Sequence, residues 1–462
     1  ASSTSLKVNE FLDGIRGAAE LEGVSCSHIL QVAKFLKASV PGCTAQTLLQ
    51  QASTALLQLT TRVFQMYQQR HSCPEEEATL RHEVAMEIMD FWDSVCNKEE
   101  LQEERCQIPL TLLSSVTTAL LDLVSRALLD AAPFEGQAGD SSLPLPAVVI
   151  EQRDDLLWVV KSLVATVIRL TPTSKSIEVT LSAVSTHIVK SAWYQREAAL
   201  YILAAIMENA STGDIWTLFE TMQAMLVECL RREHHVRVRE AACVVVHAHY
   251  RTSSHHPQTP SIGTVNILDA LVNVLEDTTA PVDLILQCLN AVNSLVKVFF
   301  VSSAYVGAPS INGLSDFVAP LCRILLPMCM ATNNDNKKTS ACAVFGSVVS
   351  HCAANEKPVM WKEGFDPLFA HLEQLLASPS EWNEYKSSVY ALILVFSCYF
   401  SSVNTASSID VPSYGHRVLD LYFRQLSTDS VPLDLRERVL EAAPFVLVSI
   451  KDTPTLTDRL DA

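Results

Sequence analysis

Glycine is scarce in this chain: 13 residues in 462. Sharp turns and positive backbone φ angles draw on glycine, so a β-rich or glycine-loop architecture is excluded. Basic residues are in deficit, with 34 Lys and Arg against 51 Asp and Glu and a formal charge of −17. That field repels phosphate, so nucleic acid is not an expected partner. There is no Cys-x-x-Cys among the 13 cysteines, which removes the zinc-ribbon spacing. The longest apolar run, Ala391 to Phe400, is far too short to span a bilayer, so membrane insertion is not expected. Phosphate-loop, dinucleotide, metalloprotease and serine-hydrolase signatures are all missing. The expectation is therefore no enzyme, no cofactor and no metal.

Leu, Ala, Val and Ser fill the chain instead. A length of 462 residues exceeds one ordinary core, so several domains or a solenoid are needed. Most cysteines, including Cys243, Cys288, Cys342 and Cys398, sit in apolar helical runs. They read as small buried hydrophobes in a reducing compartment. No secretory signal opens the chain, and a start at Ala1 rather than Met reads as a piece cut from something longer.

A repeat is the strongest positive signal. Trp193-Tyr194-Gln195-Arg196-Glu197-Ala198-Ala199 is answered by Val236-Arg237-Val238-Arg239-Glu240-Ala241-Ala242, with Arg196 and Arg239 separated by 43 residues. A period in the low forties built from paired helices marks HEAT-type repeats. The fold class expected is all-α, an α-solenoid of antiparallel A and B helices. Residues 1–42 read as partial N-terminal repeat helices and 43–462 as about eight repeats. The pairs are 43–70 with 77–96, 108–131 with 149–171, and 176–190 with 193–209. They continue as 213–230 with 235–250, 263–277 with 281–300, and 312–330 with 336–353. The last two are 362–377 with 383–402 and 412–427 with 432–450. Gly-, Pro- and Ser-rich loops are expected at 133–147, 251–262 and 303–313.

Small residues in the B helices (Ala198, Ala199, Ala241, Ala242, Ala341, Ala442 and Ala443) should let neighbouring helices approach closely. A basic residue near each B-helix start (Arg196, Arg239, Lys337, Arg436) should cap a helix or pair between repeats. His234, His235, His247 and His249 suggest a metal, but residues two apart on a helix point in different directions. No cysteine or carboxylate completes a ligand set around them.

The run Met89-Asp90-Phe91-Trp92-Asp93-Ser94-Val95-Cys96-Asn97-Lys98-Glu99-Glu100 resembles a central segment of the importin-β (karyopherin-β) family. Asp154-Asp155 followed by Trp158 resembles that family's acidic loop, in shortened form, leading to a tryptophan-bearing helix. The segments from Trp193, Val236, Cys288 and Asn333 continue the series in order, so the likeness runs over roughly 60–450. The resemblance implies the central part of a divergent member, a nuclear transport receptor. Its implied partners are the importin-β-binding (IBB) helix of importin-α or other basic cargo on an acidic concave face. Phe-Gly nucleoporins would dock on the convex face. Ran-GTP contact should be weakened, because the family's amino-terminal repeats are missing. The implied location is cytoplasm, nucleus and nuclear pore.

Carried onto this sequence, the resemblance implies Trp158 and Glu208 as cargo contacts, while two later family tryptophans are Cys243 and Leu289 here. Acidic candidates beside them are Asp154, Asp155, Glu228, Glu276 and Asp277. An acidic surface attracts a polybasic helix, and tryptophan faces add cation–π contacts of about 0.5–2 kcal/mol. Taken singly, each carboxylate is a solvated helix-end charge; on one face they form a site. Trp92 and Trp193 read first as inter-repeat core, and Trp158 equally as core or cargo contact. The alternative reading is a HEAT scaffold or adaptor subunit of a stable complex.

Overall fold

Apolar residues at three- and four-residue steps, with few glycines to interrupt them, commit the chain to helices. The computed structural model describes residues 13, 25–39, 58–60, 62–63, 66, 74–96, 181–182, 184–189, 193–209, 212–252, 262–306, 315–331, 335–351, 361–377, 382–401, 411–428 and 431–450. Among these there is no strand. Two compact units divide the chain, Ala1–Phe219 and Glu220–Ala462.

In the first unit, α1 (Cys26–Ser39) packs on α2 (Glu75–Cys96), and α3 spans Trp193–Asn209. Lys34 meets Glu83 at 2.7 Å, and Lys37 meets Glu87 at 3.2 Å and Asp90 at 2.7 Å across the α1–α2 contact. Phe91 and Trp92 are buried edge-to-face, and the Trp92 indole N–H donates to Thr60 Oγ1 at 3.0 Å. Trp92 is therefore core, and its hydrogen bond satisfies the polar end of a large apolar ring.

Helix α4 (Thr212–Arg232) leads into the second unit. Then follow α5 (Val236–Thr252), α6 (Ile262–Glu276), α7 (Val282–Val306), α8 (Ser315–Met330) and α9 (Asp335–His351). A five-residue π turn, Trp361–Phe365, opens α10 (Asp366–Leu376). The unit ends with α11 (Trp382–Ser401), α12 (Val411–Ser427) and α13 (Leu433–Ile450). Each A helix packs on its B helix: α6 on α7, α8 on α9, α10 on α11, α12 on α13. The B helices form a continuous row, α5 to α7 to α9 to α11 to α13, and α6, α8 and α10 form a parallel A row. This is the nearest-neighbour packing of a helical-repeat solenoid.

The small residues behave as the sequence predicts. Ala198, Ala199, Ala241, Ala242, Ala341 and Ala442 are buried, whereas Ala443 is half-buried. Around Phe365 the core becomes aromatic: Phe369, Phe396, Tyr399, Phe400 and Tyr414 surround it at centroid distances of 4.5–6.3 Å. Gly364 is required there, because a Cβ would lie 2.6 Å from Tyr399 Oη and 2.9 Å from Phe345 Cζ.

Two loop boundaries are corrected. Helix α7 runs through Ser303 to Val306, inside the segment expected to be a loop from 303. No glycine or proline stops it before Gly307. Arg251 and Thr252 close α5, with the Thr252 hydroxyl donating to the carbonyls of Ala248 (3.1 Å) and His249 (2.9 Å), and Ile262 opens α6. The 133–147 segment lies outside the described residues.

Candidate functional site

Four of the seven expected cargo residues can be located. Asp154, Asp155 and Trp158 lie outside the described residues. Glu208 is half-buried in the last turn of α3, in the first unit. Glu228, Glu276 and Asp277 belong to the second unit.

Each carboxylate of that second group meets an arginine of its own chain. Glu228, on the A helix α4, accepts from Arg232 at 3.0 Å. Glu276, the last residue of the A helix α6, lies 3.5 Å from Arg323 of α8. Asp277 follows at the α6–α7 turn. Its Oδ1 accepts from the Thr279 hydroxyl at 2.6 Å and from the Thr279 backbone N–H at 3.0 Å. Its Oδ2 is 3.8 Å from Arg239 at the start of α5. The Thr279 hydroxyl first, then its N–H, with Arg239 adding attraction, hold the Asp277 carboxyl below its ordinary range. Arg239 thus pairs between repeats, as expected. Arg436 instead donates to the carbonyl of Thr428 at 2.7 Å, within its own helix pair.

Polar side chains bridge neighbouring B helices. His247 Nδ1 of α5 lies 2.8 Å from Ser294 Oγ and 3.2 Å from the Asn290 carbonyl, both on α7. The Ser347 hydroxyl of α9 donates to Asn293 Oδ1 of α7 at 2.8 Å. Asn290 and Lys297 are exposed beside them. Farther along, Lys386 of α11 contacts Asp434 of α13, while Lys386 and Arg438 lie 5.7 and 5.4 Å from the Tyr390 ring. Sequence reasoning missed both groups. The repeating Asn290, Asn293 and Lys297 on an otherwise apolar helix was the available signal for the first.

Among the described residues, no three His, Cys, Asp or Glu side chains are placed to hold a metal ion. No described helix is long and apolar enough to cross a membrane. His247 serves as a hydrogen-bonding bridge between neighbouring B helices.

The second unit is a row of helix pairs in which Glu228, Glu276 and Asp277 are each paired with an arginine. Neither a family sequence model nor a curated protein sequence matches the chain. Solved structures do match. A crystal structure of importin-β superposes with a TM-score of 0.62 at 13% identity, over 96% of this chain and 53% of that one. Kap121p bound to Ste12p gives a TM-score of 0.66 at 12% identity, over 92% of this chain and 36% of that one. Kap121p bound to RanGTP gives 0.61 at 11%, over 92% and 37%. The chain has the solenoid fold of importin-β and the karyopherins, and spans about half or less of the length of these chains.

Proposed function

We propose that this chain acts as a nuclear transport receptor of the importin-β kind, binding basic cargo through acidic side chains. The observation that carries the reading is the fold likeness to importin-β over 96% of the chain. The formal charge of −17 supports it, because a polybasic segment is drawn to such a surface. The cargo is a basic nuclear-localisation or IBB-type helix. Asp154, Asp155, Trp158, Glu208, Glu228, Glu276 and Asp277 are its proposed contacts. Within this reading, cargo cations displace Arg232, Arg323 and Arg239 from Glu228, Glu276 and Asp277. Phe-Gly nucleoporins and Ran-GTP complete the set of proposed partners. The protein moves between cytoplasm and nucleus through the pore, and performs no catalysis.

A second reading, a HEAT scaffold or adaptor in a stable complex, is favoured by those same arginine pairs. Fluorescence-polarisation titration of a labelled IBB peptide, at two salt concentrations and against a charge-matched scramble, separates the two. Selective, salt-sensitive binding that falls on Trp158→Ala and Asp154→Ala is expected of the receptor. Equal, weak binding of both peptides rejects it in favour of the scaffold.

A further inference from the structure

Ion pairs tie neighbouring A helices of the second unit. Arg231 of α4 meets Asp269 of α6, and Arg323 of α8 lies 3.5 Å from Glu276 of α6. Arg417 and Arg424 of α12 reach Asp366 (2.6 Å) and Glu373 (3.2 Å) of α10. Between α8 and α10 no ion pair is formed among the described residues. Helix α8 is also interrupted within, by Pro320 and Pro327 seven residues apart. Proline has no N–H, so the carbonyls of Asp316 and Arg323 receive no ladder bond from them. Pro367 of α10 and Pro412 of α12 fall in the first turn, where no such bond is lost.

This junction has a different polar tie. Lys338 Nζ of α9 lies 3.0 Å from His371 Nε2 of α10. Lys338 is buried and His371 half-buried. Because α9 is the B helix packed on α8, the bond fastens the α8–α9 pair to α10. Cys342 and Asp335 of α9 and Cys329 of α8 act on Lys338, and Lys338 is the charge that acts on His371. Other charges on the helices around His371 are turned elsewhere. Arg323 faces α6, Asp366 and Glu373 face α12, and Lys386 of α11 contacts Asp434 of α13. Asp316, Lys362 and Glu363 are exposed.

We propose that Lys338 and His371 form a proton-sensitive latch on the α8–α10 junction, which opens when His371 takes up a proton. A protonated imidazole has no lone pair for the Lys338 ammonium and sets a second cation against it. The two side chains separate, His371 turns to water, and α10 parts from α8 and α9 while the ion-paired A-row junctions stay closed. Burial first, and the Lys338 charge second, hold the closed His371 below its ordinary 6.5, so protons favour the open form below that value. The latch uses none of the carboxylates assigned to cargo, so it stands or falls separately from the transport reading.

Hydrogen–deuterium exchange of the full chain tests the latch, read by mass spectrometry and corrected for the intrinsic effect of pH on exchange. From about pH 7.5 to about pH 5.5, local opening of α10 and α8 should rise by up to about tenfold. His371→Gln keeps an acceptor for Lys338 and does not titrate. It should abolish the rise and leave exchange at the higher pH near that of the unaltered chain. Lys338→Met, which removes the opposing charge, should shrink the rise, and it serves if the glutamine variant does not fold. His249 of α5 has an acid response of its own that neither variant touches, so the readout is the part of the response they remove. An α10 response that survives His371→Gln overturns the proposal. So does a removed part spread evenly over α6, α8, α10 and α12, because His371 would then act on unfolding of the whole unit.

Discussion

The Lys338 ammonium lies 3.0 Å from Nε2 of His371 and joins α9 to α10. Lys338 is only 1% exposed, so its charge rests on few partners and the neutral imidazole accepts its proton. Burial first, and the Lys338 charge second, depress the His371 pKa. A histidine depressed in the native state binds fewer protons there than when unfolded. Its stability contribution is complete above the unfolded value near 6.5 and falls as pH drops below it. His371→Gln should weaken the loss of stability between pH 7.5 and pH 5.5, read from urea midpoints at about those two values. An unchanged difference would rule out His371 as a source.

His249 is the stronger case. It is buried on α5 beside Tyr250, with ring centroids 4.8 Å apart, and burial lowers its pKa from 6.5 to about 3. The sign is the same as for His371. From pH 6.5 downward this one group should remove up to about 1.4 kcal/mol per pH unit, levelling off near its folded pKa of about 3. His249→Leu should shallow the acid limb of a stability–pH curve measured by urea unfolding.

Thr60 accepts the Trp92 indole N–H inside the first unit. Thr60→Val keeps the shape and leaves a buried donor without its acceptor. The expected loss is about 1–3 kcal/mol. Thr60→Ser should retain most of the stability, because the hydroxyl remains. Denaturant unfolding followed by tryptophan fluorescence checks both.

Gly364→Ala should destabilise the second unit by about 1–3 kcal/mol, since the added methyl meets packed rings. The nearest atom is Tyr399 Oη at 2.6 Å. Tyr399→Phe in the Gly364→Ala background should therefore recover part of the loss. A double-mutant cycle measures the coupling. Simple additivity would place the strain at Phe345 instead.

Much of the second unit was legible in the sequence because helix periodicity is a local signal. The pairs read from 263 to 450 closely match the observed helix bounds, and the buried alanines lie where the repeat placed them. Pairing across repeats was not legible. Glu276 and Arg323 are 47 residues apart, and Asn293 and Ser347 are 54 apart. Their contact depends on the stacking register, which no short window carries. The burial of Lys338 against His371, one place after Lys337, was not legible either. One residue along a helix turns a side chain by about 100°, so adjacent positions face different surroundings. The carboxylates were visible as charges, but their own arginines were not.

The A row and the B row are held by different forces. Arg231–Asp269, Arg323–Glu276, Arg417–Asp366 and Arg424–Glu373 tie neighbouring A helices in the second unit through side chains open to water. The B row is joined mainly through buried aliphatic and aromatic packing. Dissolved salt weakens exposed ties, while salting-out ions tighten apolar contact. The B row carries an exposed tie as well, Lys386–Asp434, so a change in ionic strength should act on both sides and more on the A row.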